Sequence, residues 1–162
     1  MLVTAVSFPT IVLAVHILAV VFAFGVVLGF PVIALTAERL DRGVMAPLHR
    51  VRVIMGRSLV NPGLLVVVIA GVYLASHLHQ WSHFYVQFGI GAAVVLGGLE
   101  GAVVIRAEKQ LAELAGRDVA ASAGESEVKW SSDYVSLQAR ANLAGWLMAL
   151  LVAATVVVMT IK

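Results

Sequence analysis

Glu100 offers the most chemistry in this chain, because it stands inside an apolar run from about Val86 to Ile105. An ionisable group in such a run faces protein and has a partner or a role. Its type leaves three readings open. The carboxyl is neutral or paired with an arginine of the adjoining loop, such as Arg57 or Arg106; it is a proton or ion site; or it makes a polar contact to a partner subunit. His16 lies about two turns into another apolar run, and His77, His79 and His83 cluster near the ends of two further runs. Imidazole ligates haem iron, copper and zinc. His16 with His77 is therefore a candidate haem b pair, and His16 with His79 and His83 a candidate copper site. The competing reading is a core histidine hydrogen-bonded to a neighbouring helix, with the others in a wet loop. His77 and His79, two residues apart, cannot share one helix face. His49 lies in a basic loop and is assigned no role.

For a haem, depth matters. Counting helical rise places His16 and His77 at comparable depth. Ala19, Ala23 and Val27 fall below His16, and Val66 and Ala70 below His77, which would leave room for a flat ring. Asn61-Pro62-Gly63 opens the second apolar run and Pro31 interrupts the first. Proline removes a backbone donor and clashes with the preceding turn. A kink is one outcome; a broken helix lining a cavity, with Asn61 supplying a polar partner, is the other. Gly25 and Gly29 are four apart, as are Gly97 and Gly101. That spacing predicts close helix packing, inside the bundle or across a dimer interface.

Other chemistries find no residues. The sequence has no cysteine, which removes disulfides, thiolate metal sites and thiol nucleophiles. It shows no HExxH, no phosphate-binding glycine loop and no Ser/His/Asp set. One intramembrane carboxylate cannot build a di-metal carboxylate centre.

The elements that position these residues follow from composition. Hydrophobic residues make up 61% of the 162 and charged residues 12%, about half the usual share of a soluble domain. Mean hydropathy is +1.00. The net charge of +2 carries no basic run dense enough for nucleic acid. Four apolar runs, about 10–37, 58–78, 86–105 and 143–161, each suit a span of about 20 residues. They are too long and too continuously apolar for barrel strands, so they are helices. The first run reads as a retained span, because Met1 to Pro9 lack the positive charge of a signal peptide.

Charge then sets the expected topology. Arg39, Arg42, Arg50, Arg52 and Arg57 lie between the first two runs, and Arg106, Lys109, Arg117, Lys129 and Arg140 between the last two. The positive-inside rule makes both loops cytoplasmic and both termini outward. Val44, Leu48, Val51 and Met55 follow a three-to-four spacing, which predicts an amphipathic helix in the first cytoplasmic loop. Residues 103–115 extend span three as a charged helix. Ala121 to Glu127 reads as a flexible stretch, and Ser131, Ser132 and Asp133 are N-cap candidates for the last helix. Trp81, Phe84 and Tyr85 suit an interfacial anchor.

The order of motifs carries a resemblance. VHILAVVFAFGVVLG, RSLVNPGLLVVVIAGVYL, a Trp-containing outer loop and a final VVVMTIK together resemble a bacterial family of predicted integral membrane proteins of unknown function. The likeness covers most of the chain. That family is similar in layout to the copper-resistance D type and to HemJ-type protoporphyrinogen oxidases, whose early histidine matches His16 and, in the HemJ type, ligates haem. The chain lacks the Arg, Tyr and Lys set of the HemJ pattern, so protoporphyrinogen oxidation is not implied.

The expectation is an all-α, integral membrane four-helix bundle of one domain, N-out and C-out, in a bacterial inner membrane. Its expected work is non-catalytic: an accessory or partner-binding subunit, in a homo-oligomer or with other membrane subunits. A haem b- or copper-binding bundle is the alternative, and a small proton-coupled transporter centred on Glu100 the third.

Overall fold

A computed structural model describes residues 7–125 and 127–161. Met1 and Lys162, named above at the termini, and Ser126 of the flexible stretch lie outside the described residues. Every described element is helical: α1 (Phe8–Leu40), a short turn Arg42–Val44, α2 (Met45–Met55), α3 (Asn61–His77), α4 (Phe84–Leu99), α5 (Ile105–Ala121) and α6 (Ser132–Thr160). A π-helical turn, Gly56–Val60, joins α2 to α3, and another, Glu100–Val104, joins α4 to α5. The chain thus forms four long helices, each long and apolar enough to cross a membrane. Large apolar side chains line their outer faces, among them Val94 and Leu150, each 66% exposed. Water would penalise such surfaces, whereas lipid does not.

Proline accounts for the first π-turn. Pro62 has no N–H, and its ring crowds the carbonyl four residues earlier. The backbone answers by widening: Asn61 donates its N–H to the Gly56 carbonyl, five residues back. The helix therefore runs on through Asn61-Pro62-Gly63, wound differently and not broken. Ile105 bonds the Glu100 carbonyl in the same way. Single π-turns inside α-helices recur at functional sites, and these two touch each other.

Two cores stack along the bundle. One, between the spans, contains Ala23, Phe24, Val27, Val60, Leu64, Leu96, Met148 and Val152. The second, at the basic end, contains Met45, Ala46, Ala107, Leu111, Ala115, Tyr134 and Ala141. This second core makes a helical head from α2, α5 and the start of α6. Ser131 caps α6 by accepting from the Tyr134 N–H at 3.4 Å. Asp118 fixes that cap, accepting from the Ser131 N–H at 2.9 Å and its hydroxyl at 2.7 Å. Burial pushes the Asp118 carboxyl upward, but the Ser131 bonds and the Arg117 charge outweigh it and hold it below its ordinary value. A lowered pKa means that this bond set stabilises the fold above the ordinary carboxylate range and weakens as pH falls through the lowered value.

The close helix approach falls on other glycines than the sequence spacing suggests. A Cβ at Gly25, Gly29, Gly97 or Gly101 would meet nothing within 4 Å. None of these four therefore makes a close helix approach within the single chain. Gly63 makes the approach instead: its Cβ would lie 2.9 Å from the Ala23 Cβ and 3.5 Å from the Ala19 carbonyl. The physical reason is register. Antiparallel α1 and α3 meet along Ala19 and Ala23 on one helix and a lone glycine, Gly63, on the other, so no glycine pair within one helix marks the contact.

Candidate functional site: a charged layer between the two cores

The charged side chains that should be dearest to bury are gathered where the two cores meet. α2 presents His49 and Arg52 one turn apart on a single face, and both are buried. The facing helix presents Glu100 and Glu108, also buried. Arg52 donates Nη1 to Glu100 Oε1 and Nη2 to Oε2, each at 2.6 Å. This two-pronged geometry is the strongest that an arginine and a carboxylate can adopt. The guanidinium carbon lies 5.3 Å from the centroid of the Phe30 ring on α1, so a cation–π contact covers one side of the pair.

Gly56 makes the space for this pair. A Cβ there would overlap Glu100 Oε1 and would sit 3.2 Å from Arg52 Nη1 and 3.3 Å from Ile105 Cγ1. Gly56 and Glu100 are the first residues of the two π-turns. Bare backbone on one helix therefore faces the carboxylate of the other, where both have widened.

One turn toward the basic end, His49 Nδ1 lies 2.6 Å from Glu108 Oε2 and Nε2 lies 3.1 Å from the Tyr134 hydroxyl. An ionised carboxylate can only accept, so Nδ1 carries a proton and donates to it. Nε2 accepts from the phenol when the ring is neutral. The Trp130 ring stacks on Tyr134, with centroids 4.3 Å apart. Beside this layer is a cavity of about 30 Å³, walled by Phe30, His49, Arg52, Glu108, Gln138 and Asn142 among others. That volume exceeds the roughly 10–15 Å³ that one water requires. Buried Gln138 Oε1 has no partner among the described residues, while the amide nitrogen bonds Asn142 Oδ1 at 2.8 Å. The layer can hold charge, water and protons.

The predicted site residues distribute differently. Glu100 is fully buried and paired, with Arg52 and not with Arg57 or Arg106. Both of those arginines are exposed. His49, assigned no role above, is 1% exposed and joins three helices. One sequence signal pointed there: His49 and Arg52 continue the three-to-four spacing of Met45 and Ala46. The predicted apolar stripe turns inward only in part: Leu48 and Met55 pack half-buried against the two cores. Val44 and Val51 are exposed, and α2 buries Met45, Ala46, His49 and Arg52.

His16 lies in the other half of the bundle, with Nδ1 3.0 Å from the Val67 carbonyl and Cε1 against Gly71. His77 is six residues beyond Gly71, about 9 Å further along the helix, and stacks flat on Tyr73. His77 thus begins further out along the bundle than the level at which the His16 ring sits. His83 stacks on Tyr85. His79 takes a left-handed backbone (φ 55°) in the turn that ends α3, where the Gln80 N–H reaches the Ala75 carbonyl. That is a helix-ending position more often filled by glycine. Among the described residues no three His, Asp or Glu side chains gather closely enough to hold a metal. Asn61 begins α3 beside the first π-turn, outside the walls of the small cavity.

No curated protein and no solved structure matches this chain. One family model, described as a predicted integral membrane protein (DUF2269), matches residues 10–162. That span takes in all four long helices, both π-turns and the charged layer between the cores. The chain belongs to the DUF2269 family of integral membrane proteins.

Proposed function

We propose that this protein is a non-catalytic accessory subunit of the inner membrane that presents a rigid helical head to a partner on the cytoplasmic side. The observation that carries this reading is the charged layer joined to a second core outside the spans. A bundle that only filled lipid would need neither. Arg52–Glu100 and His49–Glu108–Tyr134 tie α2, α5 and α6 together where the helices leave the apolar spans. A buried ion pair adds little net stability over an apolar substitute, but it penalises every arrangement that separates its members. That property suits a platform that must keep one shape.

The head offers a surface for docking. α5 and α6 enclose an open groove of about 460 Å³, lined by Gln110, Glu113, Leu114, Arg117, Asp133, Ser136, Leu137 and Arg140. Charges of both signs beside two leucines suit a polar protein segment with an apolar anchor. The charge split between the loops supports placing this end in the cytoplasm. The apolar layer of Phe24, Val27, Val60, Leu64 and Met148 lies between Glu100 and His16. It favours a bundle that carries no proton or solute across, over a transporter.

The absence of cysteine makes the test clean. Ser136→Cys, in native membranes, is treated with a short thiol-to-amine cross-linker. The expected result is one discrete adduct, heavier than the 17.1 kDa protomer, lost on Arg140→Glu. Leu150→Cys, on the lipid face, should give none. A Ser136→Cys protein that stays at protomer mass removes the docking reading. An adduct of twice the protomer mass makes the partner a second copy.

A further inference from the structure

We infer that the outer edge of the seam between α2 and α5 binds the headgroup of an anionic phospholipid. Four residues carry the argument. His49, Gly56, Ile105 and Glu108 face one another across this seam: His49 bonds Glu108, and Gly56 packs against Ile105. Arg50, Arg57, Arg106 and Lys109 are the residues that follow them. One step along an α-helix turns the side chain by about 100°. The two helices are antiparallel, so the same turn brings all four cations to the same side of the seam. Each is exposed, and none has an acidic partner among the described residues.

Four of the six other basic side chains of the loops are paired among the described residues, Arg39 and Arg140 being the exceptions. Arg42 pairs with Glu127, Arg52 with Glu100, Arg117 with Asp118 and Lys129 with Glu125. The acids nearest the seam are committed inward, Glu100 to Arg52 and Glu108 to His49. Glu113, one turn beyond Lys109 and exposed, marks the lower edge. Four positive charges are therefore left together without internal compensation. Arg57 and Arg106 stand at the ends of the apolar runs, and Arg50 and Lys109 sit further out. They span about 10 Å along the bundle at about 1.5 Å per residue, enough to cross a headgroup layer of roughly 5–8 Å. Ile54 and Val103, both exposed and three or four residues from these cations on the same helix faces, give the acyl chains an apolar wall. Basic pockets between spans are a known way to hold anionic headgroups. Diester phosphate supplies the complementary charge and acceptors.

The test uses the full chain purified in a neutral detergent, with equimolar phosphatidylglycerol and phosphatidylcholine, read by native mass spectrometry. Wild type should retain phosphatidylglycerol over phosphatidylcholine by about tenfold, as expected for a few interfacial cations. The preference should fall as salt is raised, because exposed charges are screened. Replacing Arg50, Arg57, Arg106 and Lys109 together by Gln should abolish it. Arg39→Gln with Arg140→Gln, which removes two cations elsewhere, should leave it intact. A thermal melt confirms that each variant is folded. Equal retention of the two lipids by wild type overturns the proposal, as does a preference that survives in the quadruple variant or at high salt. Loss of the preference to added inorganic phosphate at millimolar concentration would also overturn it, since the site would then read free phosphate and not lipid.

Discussion

Arg52→Leu should lower the stability of the bundle by about 3–5 kcal/mol, the usual effect of stranding one member of a buried ion pair. Glu100 is fully buried and would be left with a carboxylate facing apolar neighbours. It must then either take up a proton or draw water into the core. In detergent this should appear as a fall in melting temperature on the order of 10 °C for a chain of this size. The double variant, Arg52→Met with Glu100→Leu, removes both charges and keeps the volume. It should recover most of the loss, because an apolar pair of similar size is often neutral or stabilising. Independent effects would add, so this recovery is the signature of coupling. If the single variant melts like wild type, the pair is not formed.

Gly56→Ala should produce the second large effect, and in a direction opposite to helix propensity. Alanine in place of glycine inside an exposed helix adds up to about 1 kcal/mol. Here the new methyl would overlap Glu100 Oε1 and crowd Arg52 Nη1 and Ile105 Cγ1. Forcing a methyl into a packed site costs about 1–3 kcal/mol, and the bidentate geometry is lost as well. Gly97→Ala and Gly101→Ala are the controls. A Cβ at either meets nothing within 4 Å, so both should melt at or above the wild-type temperature. A destabilised Gly101→Ala beside an unaffected Gly56→Ala would reverse the assignment of close contacts.

The spans are legible in the sequence because lipid imposes one simple demand, about 20 apolar residues in a row. The head is much less so. Its helices continue the spans without a break, but their composition turns polar, so hydropathy marks an end where the backbone has none. The face of α2 was hidden for a related reason. Periodicity reasoning assumes that apolar residues point inward. On α2 the inward positions include His49 and Arg52, whose partners Glu108 and Glu100 are 59 and 48 residues away in sequence. Nothing local announces such pairing. Glu100's need for a partner follows from its surroundings. Its identity depends on helix register, which two π-turns shift, so Arg52 meets it and the equally basic Arg57 points outward. The glycines teach the same point. Spacing within one helix selected Gly25, Gly29, Gly97 and Gly101, while contact is decided by what the opposite helix places there, and Gly56, Gly63 and Gly71 meet Glu100, Ala23 and His16.

Both the stability and the docking readings rest on one claim, that the charged layer makes the head continuous with the membrane bundle. Amide hydrogen exchange of α5, residues 105–121, in lipid nanodiscs tests it most directly. Amides that open only with the whole fold exchange slowly, and those of loosely held segments exchange early. Wild-type α5 should be protected to the same degree as the buried stretch of α4, and Arg52→Leu should release α5 while leaving α4 slow. An α5 that already exchanges freely in the wild-type protein would contradict the account.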